Sequence, residues 1–383
     1  MANTLKFGNG EWYGSEGNIL AYNDENGNFK PLPFSFSRGS SATRVNQQGL
    51  IETVGANDAR VDYKDNANGA LLLEPSRSNL ITYSEDFSQW SKTGTTSVSS
   101  NDNISPDGTQ NASTVSGLTG SGSNDLYLIT GQNPASKTYF FSVYLKGEGI
   151  LRLQMSNNVN QGIGENVTLT SDWKRHIVTG TFNSTSGTLS VTLDDSGATA
   201  SEYKVWGAQI EAGSYATSYI PTQGTAQTRL ADNTTTQDNV PTTIIGQTSG
   251  VLYCNFKINN NPTSTRRVVI MSDGTGNERI GISLGSNIIY GFIVNGGSTQ
   301  CEIVKSSITS GNYKCAFSYN NNDFVFYVNG SQVGTDTSGT VATCDRIDVG
   351  NQFGTSVLEG SINDIKLYNT RLSNSELAAL TQV

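Results

Sequence analysis

Along most of the chain, apolar residues come in short runs or alternate with polar ones, and Gly, Asn, Ser and Thr separate the runs. A period of two puts every second side chain on one side of an extended backbone, so this pattern predicts β-strands. The clearest are Tyr139–Leu145, Leu189–Leu193, Val268–Met271 and Asp323–Val328, each about one strand long. Helical periodicity is nearly absent. The exception is Ser373, followed by Asn374-Ser375-Glu376 and then Leu377-Ala378-Ala379-Leu380. A Ser N-cap with Glu three positions on is a capping box, which predicts one short final helix.

The predicted fold class is all-β, with two consecutive β-sandwich (jelly-roll) domains after an irregular N-terminal segment. Residues 1–77 are sparse in hydrophobics. Asp24-Glu25-Asn26-Gly27 reads there as a turn, and Pro31 and Pro33 are expected to break pairing. This segment is expected not to fold alone. Residues 78–222 carry enough short strands for a first sandwich. Residues 223–243 are rich in Thr, Asn, Gln and Asp and read as a linker or extended brace. Residues 244–383 form the second sandwich. No motif recurs between the two, which argues for different modules rather than a duplication.

Composition narrows the function classes. Charged residues are 15% of the 383, below the usual level of about 25%, so neutral polar groups carry the surface. With 9% aromatics the chain lacks the signature of disorder. A net charge of −9 gives no electrostatic reason to bind a phosphate backbone, so nucleic acid is not an expected partner. No apolar run reaches the roughly 18–20 residues that cross a bilayer, and Met1–Gly10 has no basic start followed by an apolar stretch, so no membrane partner is expected. Cys254, Cys301, Cys315 and Cys344 match neither a CxxC pair nor zinc spacing and read as free core thiols.

Longer strings carry a resemblance. Phe34-Ser35-Phe36-Ser37-Arg38-Gly39-Ser40-Ser41-Ala42-Thr43-Arg44-Val45-Asn46, Gly49-Leu50-Ile51-Glu52 and Gly69-Ala70-Leu71-Leu72-Leu73-Glu74-Pro75-Ser76-Arg77-Ser78-Asn79-Leu80-Ile81 resemble bacteriophage virion appendage proteins. In that group the string joins a particle-attachment region to a carbohydrate-binding-like jelly roll. The jelly roll would include Phe87-Ser88-Gln89-Trp90 and Thr170-Ser171-Asp172-Trp173, and would close at Trp206–Gly213 and Ser218–Thr222. The opening, Asn3–Gly10 and Leu20–Asp24, is similar to tail or head fibre proteins of Bacteroides-type phages. Phe324–Gly330, Ile347–Asn351 and Leu358–Ser373 resemble the laminin-G or concanavalin-like lectin sandwich.

The resemblance implies a virion protein assembled in the host bacterial cytoplasm and attached through residues 1–77 to capsid, portal or tail proteins. It also implies host-surface or mucosal glycans as ligands. Weak sites multiplied by copy number would then predict a homo-oligomer, dimer or trimer, and the sparse core of residues 1–77 agrees, since such a segment is often completed by a copy of itself or by a capsid or tail protein. Many copies of these folds serve only as spacers, so the function has to be argued from a site. The alternatives are a purely structural decoration protein and a glycan depolymerase.

Candidate chemistry is sparse, and no catalytic residue is assigned. His176, the only histidine, reads as a surface or edge residue with no nucleophile motif beside it. Asp194 and Asp195 are adjacent, so on a strand they would face opposite sides and could not flank one glycosidic bond; they read as a solvated turn. Glucanases that share the lectin sandwich use an ExDxxE-type strand, and residues 244–383 lack it. Asp273, Asn277 and Glu278 offer hard oxygen ligands on a loop, where calcium would be structural; an ordinary turn uses the same residues, and no other cofactor is expected. Tyr127, Tyr290 and Tyr319 lie beside Asn- or Gly-rich loops and are the candidate sugar platforms. Trp90, Trp173 and Trp206 read as core residues.

Overall fold

The computed structural model describes residues 5–8, 20–23, 29–32, 36–134, 136–234, 240 and 244–383. The turn at Asp24–Gly27, Pro33, residues 3–4 and 9–10 of the opening string Asn3–Gly10, and 235–239 and 241–243 of the expected linker lie outside the described residues. The fold is all-β with two sandwiches, as the alternation implies. The path of the chain through them differs. Two compact units form, one from Met1–Gly49, Val54–Pro75 and Ala231–Val383, the other from Leu50–Thr53 and Ser76–Leu230. The second unit is thus an insertion in the sequence of the first.

In the split unit, an eight-stranded antiparallel sheet runs Ser331–Asp336, Asp323–Val328, Gly311–Asn320, Ser249–Ile258, Gly360–Tyr368, Ala70–Leu73, Arg60–Asp62, with Leu5–Gly8 also on Gly360–Tyr368. A five-stranded sheet runs Ser298–Ser306, Ile288–Asn295, Arg279–Gly285, Arg266–Ser272, Arg346–Val349. Alternate residues of both sheets, among them Leu252, Phe256, Cys315, Phe317, Ile280, Ile282 and Ile293, meet in one buried cluster. All four cysteines are buried and free, as expected. The final helix, Asn374–Thr381, opens with the expected capping box: the Glu376 N–H donates to Ser373 Oγ, and the Ser373 N–H to Glu376 Oε2 at 2.8 Å. Leu377 anchors it against Val251, Tyr253, Val325 and Tyr327 on the outer face of the larger sheet.

The N-terminal residues do not form a separate segment. Leu71 lies opposite Ile362 and Leu73 opposite Gly360, while Leu5 lies opposite Leu367. Together these two strands line the edge of Gly360–Tyr368, whose backbone N–H and C=O groups would otherwise be unpaired. Leu5, Phe36, Val61, Leu71 and Leu73 join the core cluster, so these five side chains complete the lectin-like sandwich. Pro31, expected to break pairing, sits inside Phe29–Leu32, opposite Ala21.

Where the chain leaves the split unit and where it returns, charge is buried. The Arg38 guanidinium meets Asp232 at 3.0 Å, and Arg60 meets Glu74 at 2.8 Å and also Asp232. All four side chains are within 3% of full burial. The Glu74 N–H donates to Asp232 Oδ2 at 2.9 Å and the Asp232 N–H to the Glu74 carbonyl at 3.0 Å. Arg38 also donates to the carbonyls of Ser40, Gly55 and Asp58. Burial works to lower the Arg60 pKa, but Asp232 and Glu74 outweigh it and hold the guanidinium firmly charged. Arg38 and Glu74, from two of the strings quoted above, thus lie in an interior ion cluster with Arg60 and Asp232.

The expected linker is also ordered where it is described. Gln227–Arg229 pairs with Arg77–Asn79 in the inserted unit, and Asn233–Thr234 pairs with Phe36–Ser37 in the split unit.

The inserted unit stacks two five-stranded sheets. One runs Ser91–Lys92, Leu126–Ile129, Ser190–Asp194, Ile150–Ser156, Gly162–Thr168; the other runs Ser97–Asn103, Ala112–Ser116, Glu202–Ala212, Thr138–Gly147, Lys174–Thr181. Phe87, Phe141, Leu153, Leu193, Tyr203 and Val205 fill the space between them. Trp90 is buried, and its indole N–H donates to the Tyr83 carbonyl. Trp206 is 1% exposed, with Tyr144 and Tyr219 rings at 5.5 and 4.7 Å. Trp173 is half-buried, and its N–H is taken by the Ile104 carbonyl.

Candidate functional site

The outer face of the five-stranded sheet in the split unit carries a cluster of aromatic, aliphatic and arginine side chains. On Ile288–Asn295, Ile289 and Ile293 point into the core, so alternation sends Tyr290, Phe292 and Val294 outward. Register then places Ser283 opposite Tyr290, Gly281 opposite Phe292 and Arg279 opposite Val294. On the next strand the pairing shifts between Arg267 and Val269, so Arg267 lies opposite Ser283 and Ile270 opposite Gly281. That bulge turns Arg267 to the outer face while Val268, Val269 and Met271 stay buried in the core. At Gly281 a Cβ would come within 2.3 Å of Ile270 Cδ1 and 2.9 Å of Phe292, so only glycine lets those side chains close over the sheet.

Two guanidiniums converge on one ring. Arg267 Cζ lies 5.3 Å and Arg279 Cζ 5.7 Å from the Phe292 centroid. Phe292 is only 4% exposed, so what faces outward is guanidinium and the half-buried Tyr290 rather than the Phe292 ring. Arg267 Nη1 donates to Ser283 Oγ at 3.0 Å and Tyr290 Oη at 3.3 Å, and Arg279 Nη1 donates to Gln352 Oε1 at 3.4 Å. The Nε atoms of both are buried without an acceptor, and neither arginine forms an ion pair with a carboxylate of the described residues. Burial first, and then the like charge of Arg267, push the Arg279 pKa down. Glu302 and Asp348 also belong to this face, opposite Phe292 and Ile270. They stand on the two edge strands of the sheet. At the ordinary strand spacing they are about 19 Å apart.

Of the predicted platforms, Tyr290 belongs to this cluster. Tyr127 does not: it sits half-buried on Leu126–Ile129 of the inserted unit, opposite Thr192. Tyr319 is corrected, because it is 1% exposed, lies in the core cluster beside Phe317 and cannot reach a ligand. The Asn-rich loop next to it misled the reading, since the loop is exposed while the strand residue before it points inward.

The predicted metal loop is held by its own hydrogen bonds. Asp273 Oδ1 accepts the Thr275 N–H at 2.8 Å and its hydroxyl at 2.7 Å, the Asn277 N–H goes to Thr275 Oγ1, and Glu278 Oε1 accepts from the Gly296 N–H at 2.7 Å. These residues secure turns at the end of the sheet.

A different acidic group forms in the inserted unit, where carboxylate oxygens of Asp125, Asp194 and Asp195 lie within 4.8 Å of one another. Asp194 and Asp195 are buried, which corrects the solvated-turn reading: the strand ends at Asp194, and both carboxylates turn to the same side. Protein donors occupy them. Arg152 reaches Asp194 at 3.4 Å, and Asp195 accepts from the Thr119 N–H at 3.1 Å and Asn124 Nδ2 at 3.0 Å. Burial would raise the Asp195 pKa, but the donors of Asn124, Thr119 and Gly122 outweigh it and hold it at about 2. His176 is likewise corrected from surface to buried: it is on an edge strand, as expected, but 7% exposed, with its pKa lowered by burial and then by Lys174.

Arg267 and Arg279 were missed by sequence reasoning. Each opens an apolar strand, in Arg266-Arg267-Val268-Val269 and Glu278-Arg279-Ile280, and a basic residue at a strand mouth was the available signal. Their convergence depends on a bulge and on register, which the sequence does not display.

Two antiparallel sheets around one core, with a charged and aromatic outer face, define a lectin-type β-sandwich. Within it, residues 252–378 match the concanavalin A-like lectin/glucanases superfamily. Among solved structures, the chain is similar to the CBM40 of the Ruminococcus gnavus IT-sialidase, with 16% identity over 37% of this chain and 86% of that one, TM-score 0.32. It is also similar to the binding domain of botulinum neurotoxin DC in complex with rat synaptotagmin II, with 13% identity over 39% of each chain, TM-score 0.33. A leech intramolecular trans-sialidase shares 16% identity over 36% of this chain and 24% of that one, TM-score 0.31. No curated protein matches the chain.

Proposed function

We propose that the protein is a non-catalytic glycan-binding subunit of a bacteriophage tail or head fibre, with its ligand site on the outer face of the five-stranded sheet. The observation that carries the glycan reading is that Arg267 and Arg279 each engage only one Nη, beside Tyr290 and Ser283 on the face of a lectin-type sandwich. Guanidinium, phenol and hydroxyl donors with a partly apolar ring beside them suit a sugar's ring and oxygens. The non-catalytic reading is supported by the spacing of Glu302 and Asp348, far beyond the roughly 5–9.5 Å that glycoside hydrolysis requires. The virion assignment, and with it capsid, portal or tail partners, is supported by the long ordered strings Phe34–Asn46 and Gly69–Ile81. A dimer or trimer would multiply weak sites, since linked sites can exceed one site's affinity by about 10² to 10⁴.

The test is a glycan-array screen of the full-length protein in its native oligomeric form, with and without calcium. Binding to a defined sugar class is expected, with a loss of about tenfold in Tyr290→Ala. Silence under both conditions would leave a decoration protein of the particle and end the glycan reading.

A further inference from the structure

We infer that the sugar held at this face carries a negatively charged group, a carboxylate or a sulfate, gripped jointly by Arg267 and Arg279; this rests on the glycan-binding reading above. A neutral sugar needs hydroxyl and amide partners and a bare aromatic face. Here the most buried ring, Phe292, is covered by two guanidiniums instead. Arginine is the side chain whose planar fork matches an oxyanion through paired N–H donors.

The energetics point the same way. Two like charges held against one ring, half-buried and without a carboxylate counter-ion, oppose each other and oppose folding. The same chain pairs its other converging arginines, Arg38 and Arg60, with Asp232 and Glu74. The open pair is therefore a local exception, and an anion arriving from solvent would supply the missing charge. Donors remain for it, because only one Nη of each guanidinium is used, by Ser283 and Tyr290 in Arg267 and by Gln352 in Arg279. Those three partners fix the planes of the two forks before any ligand arrives, which lowers the ordering cost of binding. Tyr290, 5.6 Å from Phe292, is placed to contact the ring of the sugar that bears the acid.

The experiment is a calorimetric titration of the full-length protein with four probes: sialyllactose, a hyaluronan oligosaccharide, a sulfated heparin oligosaccharide and uncharged lactose. At least one acidic probe should bind about tenfold or more tighter than lactose. Raising sodium chloride from about 50 to about 500 mM should weaken that binding and leave any lactose binding unchanged. Arg267→Gln and Arg279→Gln should each abolish the acidic preference while the melting temperature holds or rises. Heparin carries uronate carboxylates as well as sulfates, so binding of sialyllactose or hyaluronan shows that a carboxylate suffices, and binding of heparin alone points to sulfate. Equal affinity for lactose and the acidic probes, or an acidic preference that survives both substitutions, would overturn the inference while leaving the glycan reading intact. The salt titration needs only the wild-type protein, so a variant that fails to fold does not remove the test. If none of the four probes binds and the array is silent as well, both readings fall together.

Discussion

Two of the converging arginine pairs among the described residues are built on opposite plans. Arg38 and Arg60 are fully buried, and the Nη groups of both meet Asp232, Glu74 and backbone carbonyls. Arg267 and Arg279 are half-buried, lean on an aromatic ring and have neutral partners only. A buried charge without its partner costs several kcal/mol, whereas a buried pair with good geometry is close to neutral overall. The first pair is therefore architecture. The second keeps its charge open, as expected of a surface that receives a ligand.

The strongest challenge to this contrast is Asp232→Asn. It removes the counter-charge of Arg38 and one of the two carboxylates that face Arg60, and the expected loss is about 3–5 kcal/mol, read as a fall in denaturant midpoint. A change under about 1 kcal/mol would show that the cluster is not compensated as described. A buried anion offers the mirror test. Asp195 is fully buried and satisfied by N–H donors, with a folded pKa of about 2 against the usual 3.8. A depressed carboxylate pKa gives stability that is complete above the unfolded value and is lost as pH falls through the folded one, so stability should fall between about pH 4 and pH 2. Asp195→Asn should flatten that part of the profile. The smallest effect sharpens the contrast most: Gln352→Glu places a carboxylate against Arg279 with almost no change in shape. The expected gain is about 0.5–1 kcal/mol, together with weaker binding of acidic sugars, since the site would then carry its own anion.

Much of the fold was legible from the chain. Alternation located strands such as Thr138–Gly147 and Ser190–Asp194, and Ser373 with Glu376 marked the helix start. Pairing was not legible where it joins residues from nearly opposite ends of the chain. Leu71 and Leu73 look like one short apolar run, and nothing nearby says that their partner is Ile362 or Gly360. The same limit governs the site. Tyr290 was accessible because a ring beside a loop is a local cue, whereas Arg267 reaches it across two strand pairings and a bulge. Tyr319 failed for the converse reason, because its neighbours in sequence are exposed and its neighbours in space are core.

The pairing of Gly360–Tyr368 with Ala70–Leu73 and Leu5–Gly8 also sets an order of events during synthesis. As the ribosome extends the chain, residues 76–230 can emerge and fold as a finished unit while the earlier strands still lack the backbone they pair with. Leu71 and Leu73 must stay uncovered until residue 368 has left the exit tunnel. The lectin-type sandwich thus starts before the inserted unit and closes after it, and the interval between is when its uncovered strands are most open to capture by a neighbouring copy.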